Sequence, residues 1–93
     1  MNKEALTMAV QAAIAGDWQQ SHNIAQDYSD STANWIHAVL HKMEGDQFNS
    51  NYWYARTDID GAGGKKYDDF SNANAELTAI LQLLTAWKYM LFN

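Results

Sequence analysis

Two Gly-Asp pairs, Gly16-Asp17 and Gly45-Asp46, stand 29 residues apart in a chain of 93 residues that has no proline. Each pair is a helix stop followed at once by a helix start. Glycine permits the positive φ that ends one helix, and the aspartate oxygen accepts an N–H from the first turn of the next. The register continues past the corner, because AGDWQQSHNIAQD at 15–27 and EGDQFNSNYWYAR at 44–56 also align Ser21 with Ser50. Corners of this kind make two helical hairpins, and a lone hairpin cannot bury its own apolar face. The second must therefore stack on the first, which predicts a single all-α domain over 1–93.

Apolar spacing fills in the helices. Residues 3–15 are rich in strong helix formers and carry Leu6, Val10 and Ala13 on one face. A second helix over about 18–28 aligns Trp18, Ala25 and Tyr28. A third starts near Thr32 or Ala33, puts Ile36, Val39, Leu40 and Met43 on one side, and stops at Gly45. A fourth, 47–56, carries Phe48, Tyr52 and Ala55 on one stripe and Asn49, Trp53 and Arg56 on the next. Bulk on both stripes predicts burial on two sides. The fifth runs roughly 72–92 and supplies the cover that two hairpins lack, since free-standing helical arrays need three or more units. The corner resembles that of tetratricopeptide-like repeats, although those repeat about every 34 residues and this chain lacks their closing proline.

The stretch TDIDGAGGKKYDDF at 57–70 reads as a solvated loop. A calcium loop with Gly61 at its sixth position would need acidic residues where Arg56 and Tyr67 stand. A phosphate loop would need glycine at Ile59 and a hydroxyl at Lys66.

Charge and composition exclude several function classes. The net charge is −5 and the six basic residues are scattered, so the footprint needed to neutralise nucleic-acid phosphates is missing. Anionic membranes are disfavoured for the same reason. No run of eighteen apolar residues offers a membrane span, and MNKEALTMAVQAAIAGDW has neither the basic start nor the long apolar stretch of a signal peptide. Without cysteine there is no disulfide, thiolate metal site or cysteine nucleophile, and the expected location is cytoplasmic.

Chemistry concentrates in WIHAVLHKMEGDQFNSNYWYAR, residues 35–56. His37, His41 and Glu44 fall at i, i+4 and i+7, within about 60° of one another on a helix. Two histidines at that spacing can hold a divalent metal, with the carboxylate as a third ligand. The order HxxxHxxE differs from the HExxH of zinc proteases. His22 occupies the matching helix of the first hairpin and completes a three-histidine set if the hairpins stack. The competing interpretation makes these residues a polar stripe beside Ile36, Leu40 and Met43, hydrogen-bonded or solvated. Asn49, Tyr52, Trp53 and Arg56 have the composition of a binding surface.

The last helix carries the partner signal. Leu77, Ile80, Leu81, Leu84, Trp87 and Leu91 form one stripe, and Leu83, Tyr89, Met90 and Phe92 a second that the first cannot absorb. A homodimer through Leu83, Trp87, Met90 and Phe92 follows as the expectation, two-fold symmetry being the commonest arrangement. The leading expectation for function is a non-enzymatic module that binds a protein or peptide through Asn49, Tyr52, Trp53 and Arg56. The alternative is a metal-binding or metal-dependent hydrolytic protein using His37, His41, Glu44 and His22, with no other cofactor.

Residues 22–56 resemble a group of small bacterial proteins sharing an AHxIxQ-like segment, then W-[IL]-H-A-x-x-H-x-x-E-G-D and N-[SA]-x-Y-W-[YF]-x-R. Matching positions here are His22, Gln26, Trp35, His37, His41, Glu44, Asp46, Asn49, Tyr52, Trp53 and Arg56. The resemblance implies that these polar residues belong to one pattern, and it brings no activity with it. The 57–70 stretch and the last helix lie outside it.

Overall fold

The computed structural model describes residues 1–58 and 64–92, the last six of these as backbone alone. Its elements are α1 (Lys3–Ile14), α2 (Trp18–Ala25), α3 (Ser31–Met43), α4 (Gln47–Tyr54), a 3-10 turn (Tyr67–Asp69) and α5 (Ala73–Phe92). The fold is all-α, with no strand among the described residues.

Both corners have the same atomic construction. Gly16 and Gly45 adopt φ of 89° and 77°. The Gly16 N–H donates to the Ala13 carbonyl and the Asp17 N–H to that of Ala12; Gly45 and Asp46 do the same to Lys42 and His41. These are the paired bonds that satisfy the last carbonyls of a helix. The aspartate that completes one helix end then caps the next helix, Asp17 accepting from Gln20 N and Asp46 from Asn49 N, each at 3.1 Å. One residue serving both ends leaves no room for a longer loop, so α1 folds back on α2 and α3 on α4. Because a Cβ at either glycine meets nothing within 4 Å, replacement by alanine acts through left-handed backbone strain alone. Gly16→Ala and Gly45→Ala should each cost about 1–2 kcal/mol in urea unfolding; unchanged midpoints in both variants would contradict this corner geometry.

α3 touches all four other helices, and every residue from Ala33 to Leu40 is buried. It is therefore a central helix rather than a one-sided one, with Met43 emerging at its exposed end. α5 lies against α1 and α3, burying Leu77, Ile80 and Leu84 on Leu6, Val10, Ile36, Val39 and Leu40. Each such side chain contributes roughly 1.5–3 kcal/mol by leaving water. Ser50 Oγ donates to the Ala38 carbonyl at 2.7 Å, tying α4 to α3, whereas its repeat counterpart Ser21 is equally buried and finds no partner among the described residues.

Two expectations need correction. α4 is not enclosed on two sides: only Ser50 and Tyr54 are buried, while Phe48 is 82% exposed and Tyr52 45%. At eight residues the helix is short, so α3 and the 3-10 turn cover one face and nothing in the described chain covers the other. Residues 64–70 are not simply solvated either, because Tyr67 and Phe70 pack on the core and their carbonyls accept from Lys42. The Ile59–Gly63 part of that stretch lies outside the described residues. So do the side chains of Trp87, Met90 and Phe92 invoked for a dimer; Leu83, the fourth, is 54% exposed.

Candidate metal centre

Helical spacing on α3 stacks the rings of His37 and His41, their centroids 5.1 Å apart. Packing of α2 against α3 then delivers His22, whose Nε2 lies 3.0 Å from His37 Nε2. One ligand nitrogen from each of the three falls within 4.8 Å of the others. Two nitrogens on a tetrahedral ion, at metal–nitrogen distances of 2.0–2.1 Å, sit about 3.3 Å apart. The closest pair needs to move only by tenths of an ångström.

Indole rings wall the cluster. Trp18 stacks on His22 with centroids 4.8 Å apart, and its Nε1–H donates to the Leu40 carbonyl at 2.7 Å, which locks the ring in place. Trp53 stacks on His37 at 3.9 Å. Glu44, expected as a third ligand, has its Oε1 2.6 Å from His41 Nδ1, and with His41 and Asp46 it forms a second group whose potential ligand atoms fall within 4.8 Å of one another. The contact with His41 engages Nδ1 and leaves Nε2 as the ring nitrogen not bound to the carboxylate, the arrangement of a carboxylate behind a metal-binding histidine. Asp46 is held below the usual carboxylate range by hydrogen bonds from the Asn49 backbone and side-chain N–H groups, so it stays ionised beside His41.

Burial, together with the neighbouring His22 and His41, pushes His37 down to about 4. Burial and His41 also lower His22, against the pull of Glu44. Neutral imidazoles are the form that binds metals. The same shift makes the metal-free protein sensitive to acid. Unfolded His37 takes up its proton near 6.5 and folded His37 only near 4. Between those values the unfolded state holds more protons, so stability is full above the upper value and is lost as pH falls through the window. The loss is on the order of 3 kcal/mol. Urea midpoints of the metal-free protein from pH 7 to 4 should fall more steeply than those of His37→Gln, and parallel curves would remove His37 as the cause.

The residues expected to bind a partner separate into two groups. Trp53, Tyr52 and Arg56 continue the aromatic array outward: Tyr52 meets Trp53 edge-on at 5.1 Å, and the Arg56 guanidinium lies 3.5 Å over the Tyr52 ring. The array therefore runs unbroken from the histidines to the surface. Asn49 is not part of it, since its side chain donates to Asp46 Oδ2 at 2.6 Å and belongs to the α4 cap. Trp18, expected only as core, is a wall of the cluster; its place four residues before His22 was the available signal.

A second polar group escaped the sequence reading. Glu76 is fully buried on α5, accepting from Trp35 Nε1 at 2.7 Å, Tyr54 OH at 2.6 Å and Lys42 Nζ at 3.0 Å. Lys42 Nζ also donates to the Tyr67 and Phe70 carbonyls at 2.7 and 3.0 Å. Burial, then the hydrogen bond to Glu76, raises the Tyr54 hydroxyl far above its ordinary range, so it remains a donor. Glu76 sits four and eight residues before Ile80 and Leu84, on the buried stripe of α5. A carboxylate on that stripe was the clue.

Fold and geometry together define a small all-α protein with a three-histidine cluster at the junction of two hairpins. No family model, curated protein or solved structure matches the chain. No helix among the described residues is long and apolar enough to cross a membrane.

Proposed function

We propose that this chain is a metal-binding protein that takes one divalent transition ion on His22, His37 and His41, with Glu44 orienting His41. The convergence of the three ligand nitrogens carries the reading. An all-imidazole set with no thiolate suits zinc, copper or nickel over magnesium or calcium, which demand oxygen ligands. Calorimetric titration of chelator-treated protein with zinc tests it: one ion per chain is expected, with the heat abolished by His37→Ala. No stoichiometric uptake would end the proposal. The same proposal takes the resemblance of residues 22–56 to mark proteins that share this cluster, and the cytoplasm as the location of a chain without cysteine.

A second reading, a surface for a protein or peptide, is supported by exposed Phe48 and Tyr52 on α4, with Arg56 just beyond its end over the Tyr52 ring, and by exposed Leu83 on α5. A second copy of the chain is its simplest partner. Light scattering over a dilution series should give a dimer that Leu83→Asp dissociates, and a monomer at micromolar concentration would reject self-association.

A further inference from the structure

A closed structural zinc site uses four protein donors, and this cluster supplies three. The carboxylates beside His41 form with it a second group of potential ligands, but among the described residues no carboxylate is grouped with all three histidines, and both are engaged in hydrogen bonds. Glu44 is engaged by His41 Nδ1 at 2.6 Å, and Asp46 by the Asn49 backbone and side-chain N–H groups at 3.1 and 2.6 Å. Trp18 and Trp53 flank the cluster with rings, and the one N–H on Trp18 is already donated to Leu40. His37 is buried whereas His22 and His41 are only partly so, which leaves the outer side of the cluster toward solvent.

Building on the metal-binding reading, we propose that the centre is open and makes a hydroxide nucleophile: a zinc-type ion on His22, His37 and His41 keeps its fourth position for water, on the solvent side of rings that Trp18 and Trp53 brace by stacking on His22 and His37. Three neutral imidazoles leave the ion its full double charge. That charge lowers the pKa of bound water to about 7 in three-ligand sites. The proton leaves to solvent or buffer. With the ion bound, the hydroxide oxygen would attack the carbonyl carbon of a small ester reaching the solvent side of the cluster, and the carbon–oxygen bond to the alcohol would break. The departing alkoxide takes a proton from solvent, the acid dissociates from the ion, and water refills the position. The balance is one ester and one water to one acid and one alcohol, with no redox partner. Glu44 acts as a positioning residue through His41.

Cobalt-loaded protein titrated with azide, together with hydrolysis of para-nitrophenyl acetate by zinc-loaded protein, tests the inference. Azide is expected to change the visible cobalt spectrum. The hydrolysis rate should exceed that of equimolar free zinc by at least about tenfold, rising sigmoidally through pH 7. His22→Gln and His41→Gln, with helix content checked by circular dichroism, should each abolish both signals. Glu44→Gln should keep the ion but displace the midpoint of the pH profile. Stoichiometric cobalt with no azide response, or hydrolysis no faster than free zinc, overturns the open site while leaving metal binding intact. Failure to take up cobalt and zinc overturns both.

Discussion

Glu76→Ala is expected to be the most damaging single substitution in this protein, removing about 3–5 kcal/mol of stability. The carboxylate is fully buried and receives three donors, so its loss strands the Lys42 ammonium, the Trp35 indole N–H and the Tyr54 hydroxyl together. An uncompensated charge costs far more than a lost hydrogen bond, because the ammonium would keep only the Tyr67 and Phe70 carbonyls and no counter-charge. A small domain is stable by only about 5–15 kcal/mol. The variant should therefore be largely unfolded in mild urea, with its thermal midpoint lowered by roughly 15 °C or more. The wild-type pair itself is no large source of stability, since both ions give up hydration. Lys42→Met combined with Glu76→Leu should thus recover part of the loss, leaving Trp35 and Tyr54 as the residual cost. A Glu76→Ala protein that melts within about 1 kcal/mol of wild type would show that water reaches these groups. In that case Glu76 would not be what fastens α5 to α3 and α4.

The second large effect expected, from the proposed metal site, is stabilisation by zinc. An ion that binds only the folded chain adds about 2.7 kcal/mol at a hundredfold excess over its dissociation constant. For a domain of this length that corresponds to a rise of about 10–20 °C in thermal midpoint. Here His22 comes from the first hairpin, and His37 and His41 from the second, so the ion would join the two units that must separate on unfolding. His37→Ala also removes a stacked contact with Trp53 and lowers the metal-free midpoint by itself. The informative quantity is the increment on adding zinc, expected to vanish in His37→Ala and to remain in Phe48→Ala, which leaves the cluster intact. An equal increment in wild type and His37→Ala would mean that the ion binds elsewhere.

The helices and the histidine cluster were legible in the sequence to different depths. Helix ends were close: α1, α3 and α5 start or stop within a residue or two of expectation, while α2 and α4 end at Ala25 and Tyr54, earlier than their apolar patterns suggested. Periodicity persists into the residues that follow a helix, so it overruns the point where backbone hydrogen bonding stops. His37 and His41 were paired by spacing within one helix. Glu44 was placed beside the histidines by spacing alone, which shows that a carboxylate is near a histidine without showing which ring nitrogen it meets; here it meets Nδ1 of His41. The metal and partner expectations meet at Trp53, whose ring stacks on His37 and meets Tyr52 edge-on.

By itself the sequence determined whatever one helix or one corner can settle: the two Gly-Asp turns, the caps, and the side-by-side histidines of α3. These rest on φ angles, hydrogen bonds within five residues, and the i to i+4 geometry of a single helix. Only the tertiary structure decided that His22 meets His37, that Trp18 and Trp53 become walls, that Glu76 and Lys42 are buried together, and that Phe48 is not buried at all. Those outcomes depend on how α2, α4 and α5 cross α3. Crossing is set by the packing of many side chains from distant parts of the chain at once, so no local pattern carries it.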